Sequence, residues 1–296
     1  MAGRSCVERL VSDELWELVQ PLIPRPVRVR RGRTGRPRVP DRAVLAGIVF
    51  VLKTGISWNE LPRELGCGSG VTCWRRLREW QQAGVWQQLH RVVLDRLAQQ
   101  DLLDWSRAAV DSVSVRAKRR GEATGPSPTD RGKAGSKYHV LCDRNGLPLH
   151  ALITGANTHD SRMLVPLLDT NPGIRERAGR PGRPRRRPGK LHADKGYDYP
   201  RCRRYLAQRG IGVRIARRGI EDSSRLGRVR WVVERTMSWL LNFRRPALRY
   251  DRTESTITIH HHRLVVAGLC LDLSPPPRRA STAIVLTVIA ASVTTR

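Results

Sequence analysis

The chain has 296 residues, with 55 Lys and Arg against 26 Asp and Glu, a formal net charge of +29. So large a positive excess attracts polyanions at long range, which puts nucleic acid first among expected partners and an anionic membrane surface second. Arginine bias and eight tryptophans argue against a small lysine-rich packing protein, and six cysteines (6, 67, 73, 142, 202 and 270) with no C-x-x-C pair exclude a disulfide framework or zinc knuckle.

Apolar residues at helical spacing (Leu10, Leu15, Leu18, Val19, Leu22) predict a helix over 8–23, with Ser12 and Asp13 as natural caps. "PRPVRVRRGRTGRPRVP" (24–40) holds seven arginines in 17 residues and reads as an extended basic arm that tracks phosphates. Residues 41–98 are expected to be helical. Asp41 starts "RAVLAGIVFVLKTG", and Ser57 with Glu60 forms a capping box for "SWNELPRELG". "SGVTCWRRLREWQQAG" (69–84) is a basic amphipathic helix, and "VWQQLHRVVLDRLAQQ" (85–100) closes the bundle. Short helix, glycine turn, basic helix is the helix-turn-helix rhythm. The basic helix is its natural recognition element, presenting Arg75, Arg76 and Arg78 opposite Trp74, Leu77 and Trp80.

Near residue 105 the pattern changes. "SRAAVDSVSV" (106–115) alternates as a strand does, and "SKYHVLCDRNGLPLHALITG" (136–155) reads as a hairpin about Asn145-Gly146. A helix capped by Thr158 or Asp160 follows at 158–169, then a low-complexity basic run at 174–190. After these come the strand "KLHAD", the helix "DYPRCRRYLAQRG", the strand "IGVRIARR" and a long helix from 224 to 244. This is an α/β order: a mixed five-stranded sheet with helices, preceded by an all-α region. The expected domains are 1–104 (helical, DNA-binding), 105–271 (the α/β region) and a tail, 272–296. The apolar "AIVLTVIAASV" (283–293) is too short to span a bilayer, and charges interrupt the N-terminus, so no signal peptide is expected. Reduced thiols and a DNA partner suit a cytoplasmic, nucleoid-associated protein.

Acids are scarce, so their positions are informative. Asp111 lies in the first strand, Asp194 ends "LHAD", and Glu234 lies within the last helix. Taken singly each has a plain structural reading: an edge position, a turn, and an ion pair with Arg230 or Arg235. Taken together they converge at one sheet end if the first and fourth strands are neighbours. Three carboxylates suit Mg²⁺, with Mn²⁺ able to replace it, and two such ions support phosphodiester chemistry. Lys195 is placed to touch phosphate or to brace the turn. "HHHR" (260–263) reads as a helical surface patch.

"AAVDSVSVRAKRRGEATGPSPTDRGKAGSKYHVL", "ANTHDS", "LHADKGYD" and "RWVVERTMSWLLNFRR" resemble the DDE transposases of bacterial insertion sequences, in the insertion-sequence-five group. So do "LWELVQPLIP", "GRPRVPDRAVLAGIVFVLKTGISWNELP" and "WRRLREWQQAGVW", and the resemblance runs from about residue 10 to 271. It implies an RNase H-like catalytic core over 105–271, the metal-binding triad Asp111, Asp194 and Glu234, and a transposase that cuts and rejoins DNA at its element's ends. It also implies double-stranded DNA as partner, both element ends and target, and a homodimer or larger assembly in the synaptic complex. The family's signature Tyr-x2-Arg-x3-Glu-x6-Lys falls on one helical stripe, within about 40° of the glutamate. Arg230 and Glu234 match it and would face DNA and metal together. Gly227 and Leu241 replace the Tyr and Lys, so those two roles do not carry over. Two alternatives stay open: an inactive copy that only binds DNA, and a metal-dependent nuclease without strand transfer.

Overall fold

A computed structural model describes residues 6–25, 37–176, 183–217, 219, 223–242, 247–250 and 252, with backbone alone for 223–230. Most of the basic arm, the "HHHR" stretch and the 272–296 tail lie outside the described residues. The chain divides into two compact units, one through Val92 and the other Val93–His261, the boundary falling within a helix.

The first unit is helical. The predicted 8–23 helix is two short ones, α1 (Cys6–Leu10) and α2 (Asp13–Val19), followed by a 3-10 turn at Gln20–Leu22. Ser12 interrupts them: its backbone is extended, and its hydroxyl accepts the Leu15 N–H at 3.3 Å. Helix α3 (Asp41–Thr54) buries Val44, Leu45, Ile48 and Val51 and ends on Gly55 at φ 71°. The expected helix over 57–66 is instead two 3-10 turns, Trp58–Glu60 and Arg63–Leu65. The capping box of Ser57 and Glu60 is present, but Pro62 lacks an N–H and holds Leu61 extended, so the helix cannot continue. Helix α4 (Gly70–Gln82) starts where only glycine fits, because a Cβ on Gly70 would sit 1.6 Å from the Trp58 carbonyl oxygen. Helix α5 (Val85–Gln99) buries Trp86 against α4, where Trp80 and Trp86 tilt together at 5.9 Å.

The second unit is built on β1 (Ala108–Ala117), β3 (Ala134–Asp143), β4 (Pro148–Gly155), β5 (Lys190–Ala193) and β6 (Gly212–Ile215), in the order β4-β3-β1-β5-β6. These are the five expected strands. Two-residue strands β2 (Gly125–Pro126) and β7 (Leu248–Arg249) extend β3 and β1 and bring the sheet to seven. Strand β1 is central, antiparallel to β3 and parallel to β5. Helix α6 (Asp160–Asp169) packs on β1, β3, β4 and on α7 (Pro200–Gln208), and helix α8 (Ser223–Leu241) packs on β1, β3 and β5. The cap of α6 is neither Thr158 nor Asp160. It is His159, whose Nδ1 accepts the Ser161 N–H at 3.3 Å.

The β3–β4 turn, with Gly146 at φ 91°, closes around a buried acid. Asp143 Oδ1 accepts the N–H groups of Asn145 (2.9 Å) and Leu147 (2.8 Å), and Oδ2 accepts that of Asp104 (3.0 Å). Thr236 and Arg235 of α8 donate to the Gly146 and Asn145 carbonyls, so this turn also seats α8. Asp143→Ala leaves three main-chain donors without their acceptor. It should lower stability by about 1–3 kcal/mol for each donor that water does not reach, read as a lower denaturation midpoint.

Candidate active site

Asp111 and Asp194 are brought together by one strand pairing. Strands β1 and β5 are parallel, with Ala108 opposite Leu191 and Ala109 opposite His192. Continued two residues along both chains, that register sets Asp111 level with Asp194, on neighbouring strands about 4.8 Å apart. Strand alternation gives the two carboxylates the same face. Ala109 is on that face, and its partner across β3 is Cys142, whose thiol interacts with Thr236 and Arg235. Both aspartates therefore point to the α8 side of the sheet. Each has one carboxylate oxygen held by a main-chain donor near its own position. Asp111 Oδ1 accepts the Ser112 N–H at 2.8 Å, and Asp194 Oδ1 accepts the Gly196 N–H at 2.9 Å as N-cap of a 3-10 turn, Lys195–Tyr197. A Cβ at Gly196 would come to 3.0 Å from that same oxygen, so a larger residue there would crowd the carboxylate.

Helix α8 buries Val232, Val233, Met237 and Leu240. Glu234 lies at the exposed rim of this stripe, one residue round from Val233. The backbone of Arg230 lies in the same helix, and Lys195, half-buried, opens the turn that Asp194 caps. Two carboxylates on adjacent strands are all-oxygen donors for a hard cation. Mg²⁺ takes one or two protein carboxylates and completes its shell with water and phosphate, so the pair fits it. Among the described residues no group of three or more His, Cys, Asp or Glu is placed to hold a metal ion.

The opposite face of β1 carries a cluster that the sequence reading passed over. Ser112, paired with His139, donates its hydroxyl to Asp160 Oδ1 at 2.7 Å. Lys137 Nζ lies 3.0 Å from the same oxygen and His139 Nδ1 3.8 Å from it. Burial holds the His139 imidazole down to about 4, against the raising pull of Asp160. Tyr197 is buried too, and burial followed by the charges of Asp160, Asp111 and Asp194 pushes its hydroxyl well above the ordinary value, so it stays protonated. The available signal was the spacing of Lys137 and His139, two residues apart in a strand and hence on one face with Ser112 across from them.

Residues 11–90 match the family described as "Putative transposase of IS4/5 family", and residues 104–264, more than half of the chain, match "Transposase DDE domain". The chain belongs to the DDE transposases of insertion sequences. The transposase is 47% identical over 157 residues to the "Putative transposase for insertion sequence element IS402" of Burkholderia cepacia, spanning 53% of this chain and 71% of that one. It is 56% identical over 119 residues to an "Insertion element IS402 uncharacterized 16.2 kDa protein" of the same organism, spanning 40% of this chain and 81% of that one. A cryo-EM structure of the piggyBac transposase synaptic complex with hairpin DNA is loosely similar, at a TM-score of 0.46 and 9% identity over 97% of this chain and 79% of that one. The mixed sheet with its helices is the RNase H-like core of the family, and it follows a helical region. Among the described residues no helix of the transposase is long and apolar enough to cross a membrane.

In the helical unit of the transposase, Arg75 and Arg78 are exposed on α4, and the Arg78 guanidinium lies 5.0 Å from the centre of the half-buried Trp74 ring. Arg76 differs from the expectation. It is 8% exposed, with Nη1 2.6 Å from Asp41 and Nε 3.2 Å from Glu79. The cause is helical spacing: Arg76 shares the inward stripe of Cys73, Leu77 and Trp80, and Asp41 at the start of α3 meets it there.

Two measurements follow from this geometry. Arg76→Ala leaves Asp41 without its part-buried partner and should cost about 1–3 kcal/mol in chemical denaturation, whereas Arg75→Ala and Arg78→Ala should leave stability nearly unchanged. For His139, an unfolded imidazole gains its proton near 6.5 and the folded one only near 4, so the neutral ring stabilises the fold above 6.5 and that contribution is lost as pH falls through 4. Stability should drop by about 2 kcal/mol from this residue between pH 7.5 and 5, and His139→Gln should flatten that slope in urea midpoints.

Proposed function

We propose that the transposase binds the terminal repeats of its insertion element and performs metal-dependent cleavage and strand transfer at Asp111, Asp194 and Glu234. The observation that carries this reading is the β1–β5 register, which supports a shared cation between Asp111 and Asp194 on the face that α8 covers. Glu234 on α8 is the third ligand in this reading. Asp111, Asp194 and Glu234 would hold two Mg²⁺ ions, which would supply activation of the attacking oxygen and stabilisation of the leaving one. The residues' own part is to orient and to offset charge. Arg230 and Lys195 neutralise the scissile phosphate, while the positive field of the chain gathers DNA toward an acidic site.

Residues 1–104 are the end-binding region in this proposal, with Arg75 and Arg78 on the exposed face of α4, and 105–271 the catalytic region. Arg76 is assigned to the fold and not to DNA, since Asp41 and Glu79 hold it. Element ends and target DNA are the partners, with two or more copies in the synaptic complex. The alternative of an inactive DNA-binding copy draws on Gly227 and Leu241, which stand where the family stripe has Tyr and Lys.

The test is nicking of labelled element-end DNA. Asp111→Asn, Asp194→Asn and Glu234→Gln should each reduce cleavage to background while leaving DNA affinity equal or slightly higher, because a negative charge facing phosphate is removed. The losses should not add in double variants, since one missing ligand already disables a shared site. Mn²⁺ should replace Mg²⁺, and Ca²⁺ should support binding with little cleavage. Cleavage that survives in Asp194→Asn would return that residue to a turn. Tight, specific binding by wild type with no cleavage under any metal would establish the inactive-copy reading instead.

A further inference from the structure

The proposed metal-binding aspartates use one face of β1, and the hydrogen bonds behind them run through to the other. We infer that Asp160 is a positioning residue for Asp111, acting through Ser112. The inference rests on Asp111 being a metal-binding acid, as proposed above.

Ser112 is held at both ends. Its hydroxyl donates to Asp160 Oδ1 at 2.7 Å, and its N–H donates to Asp111 Oδ1 at 2.8 Å. A side chain on the α6 face thus fixes the residue that fixes a carboxylate on the α8 face. Asp160 is itself well anchored. Lys137 Nζ lies 3.0 Å from it and also donates to the Thr158 carbonyl at 2.9 Å, tying down the chain just before the helix. Lys137 is 12% exposed and Asp160 27%, so little water competes for the contact. Nor is Asp160 consumed in capping its own helix, since His159 does that.

The same helix supports the second carboxylate. Helix α6 packs against the 3-10 turn Lys195–Tyr197, whose Gly196 N–H holds Asp194 and whose Tyr197 side chain is 1% exposed. The Tyr197 hydroxyl has no hydrogen-bond partner among the described residues, so that support comes by packing. Both aspartate-bearing segments therefore lean on α6. A metal ligand of which one oxygen is pinned presents the other in a defined direction, and loosening the pin costs affinity for the ion as well as rate.

The experiment uses the full chain and single-turnover nicking of labelled end DNA across a Mg²⁺ titration, with DNA affinity and melting temperature measured in parallel. Ser112→Ala, Asp160→Ala, their double variant, Asp160→Asn and Asp111→Asn are compared. Ser112→Ala and Asp160→Ala should each lower the maximal rate about 10- to 100-fold and raise the Mg²⁺ concentration for half-maximal rate, with DNA affinity unchanged. The double variant should be no worse than the poorer single one, because both changes break one connection. Asp160→Asn should recover most of the loss, since its amide oxygen still accepts from Ser112. If Asp160→Ala unfolds for want of a partner for Lys137, Ser112→Ala carries the test, as it leaves that ion pair intact. Wild-type rate and Mg²⁺ dependence in Ser112→Ala beside an inactive Asp111→Asn would overturn the inference and leave the metal assignment standing. Additive losses in the double variant would overturn it as well. Normal cleavage by Asp111→Asn would remove the assignment on which it rests.

Discussion

The parallel pairing of β1 with β5 is the constraint on which the rest of the second unit depends. Asp111 and Asp194 are 83 residues apart in the chain, the same interval that separates Ala108 from Leu191 in the ladder. A slip of one residue would turn one aspartate toward α6 and leave the other facing α8. The register is well defended. Val110 and Leu191 are buried, so a shifted strand would carry apolar side chains into water and acids into the core. Antiparallel pairing to β3 over nine residue pairs fixes β1 from its other side. The hairpin beyond, locked by Asp143, also seats α8 through Thr236 and Arg235, so the helix that bears Glu234 is referenced to the same sheet.

The distribution of charge is uneven in a way that suits the proposed chemistry. In a chain of net charge +29, several acids are held by specific groups: Asp143 by three main-chain N–H groups, Asp41 by Arg76 and Arg38, Asp160 by Lys137 and Ser112. Asp111 and Asp194 are half-buried at the sheet end, each with one oxygen bonded to a nearby N–H. Two neighbouring carboxylates are unfavourable ground for a phosphate until a cation neutralises them, and the net charge of +29 supplies the long-range attraction that they lack.

The helical unit shows how burial reassigns a residue type. Three arginines within four positions of α4 look equivalent as charges, yet only Arg75 and Arg78 face solvent. Arg76 belongs to the packing of α3 against α4, a contact so close that a Cβ on Gly47 would meet Cys73 Sγ at 2.7 Å and Cys67 Cβ at 2.8 Å. At that separation an inward arginine can reach Asp41 on the facing helix, and its donors are taken up within the protein.

Periodicity and turn chemistry by themselves determined the order of elements: a helical region, then strand, hairpin, helix, strand, helix, strand, helix. The signals were local ones, such as the alternation over 106–115, Asn145-Gly146 and the apolar stripe of α8. The motifs around Asp111, Asp194 and Glu234 were equally legible, because each is a short run whose residue types identify the family. Tertiary structure decided what depends on distant partners. The in-register placement of Asp111 beside Asp194 comes from a ladder between segments some 80 residues apart. The loss of Arg76 to an ion pair depends on where Asp41 arrives, and the replacement of a helix by two 3-10 turns at 57–66 on how Pro62 is accommodated. The joining of Asp160 to Ser112 requires β1, β3 and α6 to meet. Local patterns follow from backbone geometry over a few residues, whereas a side chain's partner is set by which surfaces the whole chain brings together.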